Sequence, residues 1–167
     1  MSFANLKSPS NKGNRNETLN LRGHPVQFLT ALSDNDEDYC LMASNFPDGM
    51  VVPIHSHAER ETFYVVEGEV QVLWEDRWIT IGGGDVLDVP NGLKHSVRNI
   101  SGAPASVLVM MPMRLGRFLR EIAKPTQGVE AGAPTPEDLQ RFVELANAYG
   151  YWLGGPADNE AVGISFG

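Results

Sequence analysis

Between residues 26 and 112 the chain is a succession of short β-branched and aromatic runs, separated by Gly, Pro, Asn and Asp. Runs of this length with turn residues between them predict β-strands joined by tight connections. Many short strands at close spacing are typical of a β-sandwich or a small barrel. The chain is therefore predicted to contain an all-β domain. The runs are VQFLTAL, DYCLMASNF, MVVPIHSH, TFYVVEG, EVQVLWED, RWITIGGGD, VLDVP, HSVRNI and SVLVMMP.

The segments on either side of residues 23–113 have a different character. Residues 1–22 are rich in Asn, Ser and Lys without periodicity, which predicts a flexible N-terminal arm. Within this arm the alternating TLNL at 18–21 could pair with a sheet edge, including the edge of a second subunit. Residues 114–167 predict a helical extension that packs on the β domain.

Two helices are predicted in this extension. The first is RLGRFLREIAK, whose apolar residues recur at helical spacing. The second begins at Thr135, a capping residue, followed by Pro136 in the first turn, and it can end at Gly150. Residues 151–167 are predicted to form an irregular tail.

Composition excludes several classes of function. A chain of 167 residues with 42% hydrophobic and 20% charged residues predicts one globular domain. A net charge of −8 argues against a nucleic-acid surface, and no apolar run is long enough for a membrane helix. The single cysteine, Cys40, and the absence of an apolar leader in the first residues favour the cytoplasm. We expect no nucleic-acid partner, no membrane association and no role for Cys40.

A histidine pair lies inside one of the apolar runs. On a strand, the period of two places His55 and His57 on one face, and Pro53 disfavours a helix. Glu61 is an even number of residues away and can join the same face. A carboxylate buried beside two imidazoles needs compensation, which a divalent metal ion would supply. A hydrogen-bonded His–Glu cluster and exposed residues on a hairpin are the alternatives. His24 fits no ligand spacing and is expected at the surface.

The residues around this pair resemble a known family. Residues 49–68 match the first cupin motif, G-x5-H-x-H-x3-E-x6-G, and residues 84–99 match the second, G-x5-P-x-G-x2-H-x3-N. The resemblance implies a small jelly-roll antiparallel β-barrel with a metal ion inside it. It implies turn roles for the motif glycines and Pro90, and the metal ligands His55, His57, Glu61 and His95.

Three imidazoles and one carboxylate suit one divalent transition metal ion, Fe, Mn, Ni, Co, Cu or Zn, and leave positions open to a small-molecule substrate. Within the cupins, the layout with a C-terminal helical tail is similar to single-domain proteins of the quercetin dioxygenase-like type. The resemblance implies a metal-dependent dioxygenase that acts on an enolisable or aromatic compound. The alternatives are a non-oxidative isomerase, epimerase or lyase that uses the metal as a Lewis acid, and a non-catalytic small-molecule binder.

Further residues are assigned to the site by strand parity and by role. Glu61 is the candidate general base as well as a ligand. The side chains expected to share the face of the ligands, and thus to line the substrate pocket, belong to three different runs. They are Phe63, Val65, Val97, Asn99 and Met110. A homodimer is expected, because cupins are frequently dimeric.

Overall fold

The computed structural model describes residues 17–126 and 135–165. These residues form twelve strands and three helices. The strands are β1 (Leu19–Leu21), β2 (His24–Phe28), β3 (Tyr39–Phe46), β4 (Val51–Ser56), β5 (Glu61–Glu67), β6 (Glu69–Trp74), β7 (Arg77–Gly82), β8 (Val86–Val89), β9 (His95–Arg98), β10 (Ala105–Pro112), β11 (Lys124–Pro125) and β12 (Trp152–Leu153). The helices are α1 (Met113–Ile122), α2 (Pro136–Tyr149) and α3 (Pro156–Ala161).

The strands belong to two antiparallel sheets. One sheet has the order β11-β1-β2-β3-β10-β5-β8 and the other the order β12-β4-β9-β6-β7. Their inner faces enclose a core of alternating apolar side chains, including Val72 of β6, Val89 of β8 and Val107 of β10. Side chains on successive strand residues point to opposite faces, so each run contributes every second residue to this core. The predicted all-β barrel with a C-terminal helical extension is confirmed.

The motif glycines occupy turns, as the resemblance implies. Gly49, Gly68, Gly84 and Gly92 all have positive φ angles. At Gly68 the turn between β5 and β6 is also crowded, because a Cβ atom would lie 2.8 Å from the Ala105 Cα atom. Only glycine fits such a position without strain.

The N-terminal segment is more ordered at its end than we expected. Residues 1–16 lie outside the described residues, but Leu19–Leu21 form β1, which pairs with β2 and β11 of the same chain. The alternative that TLNL pairs with a sheet edge is therefore confirmed within this chain, and the predicted flexibility does not extend to β1. The alternating apolar side chains of Leu19 and Leu21 are buried in the core, which explains why this segment joins its own sheet.

The C-terminal segment packs against the barrel. Thr135 caps α2 through a capping box with Asp138, and Gly150 ends it in the left-handed conformation, both as predicted. The prediction of an irregular tail after Gly150 is wrong, because this segment forms β12 and α3. Among the described helices, none combines the length and the apolar character needed to cross a membrane.

Candidate metal centre

The candidate metal ligands come from both sheets. His55 of β4 and His95 at the start of β9 are direct partners in the antiparallel ladder, after a register shift between Val52 and His55. Glu61 begins β5 in the other sheet, and His57 lies one residue beyond the end of β4. The cluster is therefore located between the two sheets, where the connection from β4 to β5 crosses from one to the other.

The side chains converge closely. One ring nitrogen from each of His55, His57 and His95 lies within 4.8 Å of the others, a spacing that could hold a metal ion. The Glu61 Oε2 atom is 3.2 Å from His57 Nε2 and 3.3 Å from His95 Nε2. The structure thus brings all four predicted ligands together, with three imidazoles in ligand range and the carboxylate against two of them.

Backbone carbonyls determine which nitrogen of each ring carries a proton. The Nδ1 atom of His55 lies 2.8 Å from the Pro53 oxygen, that of His57 2.8 Å from the Glu59 oxygen, and that of His95 2.9 Å from the Leu93 oxygen. A carbonyl can only accept, so each Nδ1–H donates. A ring that carries no second proton then presents the lone pair of Nε2 to the cluster, which is the tautomer that a metal ligand needs.

Burial and mutual charge shift the pKa values in this cluster. Burial, followed by the charges of His95 and His57, lowers the pKa of His55 to about 3. For Glu61, burial raises the pKa, but the hydrogen bonds with His57 and His95 outweigh it and hold the pKa below its ordinary range. The pKa of His57 is raised, because its hydrogen bond to the Glu61 carboxylate outweighs the effect of burial. At neutral pH the cluster therefore contains a carboxylate and a neutral His55.

This donor set fits a divalent cation. Where Nε2 of His57 or His95 carries no proton, it faces the Glu61 Oε2 atom at 3.2 Å or 3.3 Å as one acceptor faces another. Facing acceptors repel unless a proton or a cation lies between them. Two of these rings and the carboxylate are buried, so water compensates them poorly. Imidazole nitrogen together with carboxylate oxygen suits the first-row transition metals and Zn²⁺.

A second polar network supports His57 from outside the cluster. The buried Glu59 accepts a 2.6 Å hydrogen bond from Arg114 Nη1, and Arg114 Nη2 donates to the Tyr149 oxygen. The ring of Tyr151 lies edge-on to His57 with ring centroids 5.7 Å apart. Burial and the nearby Glu59 raise the pKa of Tyr151, so its phenol stays protonated. This network fixes the C-terminal segment against the loop that carries His57.

The C-terminal tail also pairs with the strand that carries His55. Leu153 of β12 is the ladder partner of His55, and Gly154 N donates to the Ile54 oxygen. The Asn159 Oδ1 atom accepts from Ile54 N at 3.0 Å. This contribution was not predicted from the sequence, although the run Tyr151, Trp152 and Leu153 before Gly154 is a weak strand signal.

A cavity of about 370 Å³ leads to the cluster. It is lined mostly by apolar side chains of β4, α1, α2 and the tail, together with His55, His57 and Glu61. The predicted apolar stripes of α1 and α2 face it, with Phe118 and Phe142 among the lining residues. This volume is in the range of small-molecule sites, which are concave and largely apolar with a few polar groups.

The predicted pocket residues lie elsewhere. Phe63, Val65 and Val97 are buried in the core and do not border this cavity. Asn99 donates to the Phe46 and Ala103 oxygens and so stabilises a loop, and Met110 is 47% exposed on the outer face of β10 while Met111 points inward. Inward parity was a poor guide because core side chains fill one part of the barrel, whereas the cavity opens towards α1 and α2.

The sequence also led to expectations for His24 and Cys40. His24 is 5% exposed and borders the cavity, so the expectation that it lies at the surface is wrong. It is the inward partner of Leu21 in the β1–β2 ladder, a pairing that could not be foreseen while this segment was predicted to be flexible. Cys40 is buried, and burial followed by the charge of Glu61 raises the pKa of its thiol to about 12. A thiol of this kind is unreactive.

Comparisons with known proteins agree with this geometry. The family model described as Cupin domain matches residues 44–111. The chain is similar to quercetin 2,3-dioxygenase of Bacillus subtilis, with 29% identity over 103 residues. This match covers 61% of the chain and 31% of that protein, so the chain spans about a third of the length of the curated relative.

Two solved structures share the fold. The polyketide cyclase RemF from Streptomyces resistomycificus aligns with a TM-score of 0.55 at 18% identity, over 64% of this chain and 80% of that one. An RmlC-like cupin from Shewanella frigidimarina aligns with a TM-score of 0.53 at 20% identity, over 64% of this chain and 91% of that one. At these identities the likeness concerns the fold alone.

Proposed function

Residues 44–111 form a cupin domain, and from this premise we propose that the chain is a metal-dependent dioxygenase of a small enolisable or aromatic compound. The observation that carries the proposal is the convergence of three Nδ1-protonated imidazoles and the Glu61 carboxylate beside an apolar cavity. The similarity to quercetin 2,3-dioxygenase over 103 residues supports this direction. A reaction that transfers both atoms of O₂ to the substrate also needs no separate reductant.

We propose that His55, His57, His95 and Glu61 hold one divalent transition metal ion. When bound, such an ion supplies Lewis acidity and, if it is redox-active, electron transfer to O₂. The carbonyl oxygens of Pro53, Glu59 and Leu93 keep the three rings in the ligating tautomer, as follows from the Nδ1 contacts.

Glu61 is the candidate general base. Its Oε2 atom lies at the cluster, and its side chain also lines the cavity, where a substrate hydroxyl could reach it. An acidic enol or phenol proton would move to this oxygen as the substrate binds. The apolar side chains of α1 and α2 would exclude water, which strengthens the electrostatic interactions of Glu61 with the reacting group.

The first test is metal content followed by oxygen consumption. The protein is purified without a metal-affinity tag, its metals are measured by elemental mass spectrometry, and O₂ uptake is followed with flavonols, catechols and β-diketones. About one equivalent of Fe, Mn, Co, Ni or Cu with substrate-dependent O₂ uptake supports the dioxygenase. Stoichiometric Zn²⁺, or an inert metal without uptake, favours the non-oxidative Lewis-acid enzyme or the binding protein. No metal at all contradicts the proposal.

The role of Glu61 is tested with Glu61→Gln, and the matched control is Glu37→Gln at an exposed loop position. We expect Glu61→Gln to lower turnover by about 100-fold or more, in the range of general-base removal, while the control keeps full turnover. Turnover that survives in Glu61→Gln, measured on protein with its metal still bound, would exclude the base.

A further inference from the structure

Two side chains that the proposed function does not use border the same cavity. Arg22 and His24 lie at and beside the turn between β1 and β2, outside the cupin domain match at residues 44–111. Among the described lining residues, Arg22 and Glu61 are the charged side chains. The cavity is therefore bordered by a cationic group, Arg22, that is far in sequence from the candidate metal ligands.

The guanidinium of Arg22 has no acidic partner among the described residues, although the chain carries a net charge of −8. Its central carbon lies 4.1 Å above the Phe142 ring. The φ angle of Arg22 is 50° and that of Gly23 is 102°, so the two residues form a tight turn of positive φ. Asn is favoured over Arg at such a position. Arg22 is an exposed residue that borders the cavity, so its guanidinium is open to water and can exchange that water for an anionic group of a bound molecule. A positive φ in a non-glycine residue is the kind of backbone strain that clusters at binding sites.

His24 offers a second polar group to the same cavity. The residue is 5% exposed, and its ring packs edge-on to Phe46 with centroids 5.3 Å apart. Burial, followed by the charge of Arg22, lowers the pKa of His24 to about 4, so the ring is neutral at pH 7. Within residues 17–126 and 135–165, its Nδ1 atom finds no hydrogen-bond partner. A buried polar atom left without a partner is destabilising. Because this atom is closed off from solvent, the ring would have to turn towards the cavity for a polar atom of a bound molecule to satisfy it.

We propose that the cavity selects apolar molecules that carry an anionic group, which Arg22 binds as a charge-assisted hydrogen bond and His24 supports as a neutral hydrogen-bonding group. This inference rests on the proposed function in one respect. The end of the molecule that does not carry the anionic group would reach the histidine cluster. The apolar lining accepts the hydrophobic body, and Arg22 accepts the charge. With a divalent ion bound, the positive charges in the cavity exceed the single negative charge of Glu61, which further favours an anion.

The test compares two probes of the same shape. Binding of 2-naphthoate and of its neutral amide, 2-naphthamide, is measured by isothermal titration calorimetry at pH 7.5 on the protein as purified and after treatment with a chelator. The variant is Arg22→Asn, which places a favoured residue in the turn and so retains the fold. The matched control is Arg77→Asn, which removes the same charge at an exposed strand end away from the cavity.

For wild type and for Arg77→Asn we expect 2-naphthoate to bind about 10-fold or more tightly than the amide, the range of a hydrogen bond to a charged group. In Arg22→Asn this preference should vanish while the amide keeps its affinity. His24→Phe should weaken the naphthoate by a smaller factor. The proposal is overturned if wild type binds neither probe, if it binds both equally, or if Arg22→Asn keeps the preference.

These outcomes are separable from those of the proposed function. Metal content and O₂ uptake are measured independently of naphthoate binding, and the preference for the anion is read in the chelator-treated protein as well. An enzyme without O₂ uptake that still shows an Arg22-dependent preference would contradict the dioxygenase and support the anion site. An active dioxygenase without that preference would support the dioxygenase and contradict the anion site.

Discussion

His24 makes the stability of the protein depend on pH over a defined window. Its pKa is lowered from 6.5 to about 4 by burial and by Arg22, whereas in the unfolded chain it returns to its ordinary value. Between these values the unfolded state binds a proton that the folded state does not. The free energy of unfolding therefore falls as the pH drops from 6.5 to 4, and His24 contributes no further loss below that.

The magnitude follows from the size of the shift. Each pKa unit corresponds to about 1.4 kcal/mol, so between pH 7.5 and pH 4.5 His24 should remove about 2.5 kcal/mol of stability. His24→Phe cannot titrate, and we expect its loss over the same interval to be smaller than that of wild type by this amount. At pH 7.5 the variant should be as stable as wild type or more so, because it lacks the unpartnered Nδ1 atom.

Urea unfolding at pH 7.5, 5.5 and 4.5 measures this difference, with a chelator present so that metal release does not contribute. Other acid-sensitive groups, including His55, titrate in both proteins and cancel in the comparison if they are independent of His24. Phe46→Leu is the control, because it changes the packing around His24 without removing a titrating group. Equal pH dependence in wild type and His24→Phe would refute the buried, neutral state of this ring.

Three further predictions concern the metal centre, the packing of α1 and the Glu59–Arg114 pair. His57→Ala should lower metal affinity by about 100-fold or more in a competition titration, and Glu61→Gln by less, because the Gln oxygen can still ligate; equal losses would contradict this. Gly116→Ala should lower the free energy of unfolding by about 1–3 kcal/mol, because the new Cβ atom would overlap the Cys40 Sγ atom. This loss is expected although Ala is favoured over Gly in a helix, and adding Cys40→Ala should restore part of it. Arg114→Met should lower the melting temperature because it leaves a buried carboxylate unpaired, and no change would show that water compensates it.

The strands and the histidine cluster were predictable because their signals are local. Alternation of β-branched residues identifies each strand from its own few residues, and parity alone predicts that His55 and His57 share a face. The approach of His95 depends on a ladder between distant segments, which the residues themselves do not specify. It was foreseen only through the resemblance to the second cupin motif.

The cavity was not predictable for a physical reason. Its walls combine the β1–β2 turn, β4, α1 and α2, and their packing is decided by tertiary contacts rather than by local pattern. Strand parity predicts that the Val65 side chain points into the barrel. It does not predict whether neighbouring side chains fill the interior at that position or leave a cavity. Likewise, β12 pairs with β4 but is only two residues long, which is too short to be recognised as a strand from the sequence.

The residues that would hold a metal ion and those that would select a substrate lie in separate parts of the chain. The groups that can hold a metal ion lie within residues 44–111, and their tautomers are set by carbonyls of the same segment. The residues that would select a substrate, Arg22 and His24 on one wall and the aromatic side chains of α1 and α2 on another, lie before and after that segment. Because the two sets are separate in sequence, substitutions at Arg22 should change which molecule binds while the metal content stays the same. A loss of metal in Arg22→Asn would contradict this division.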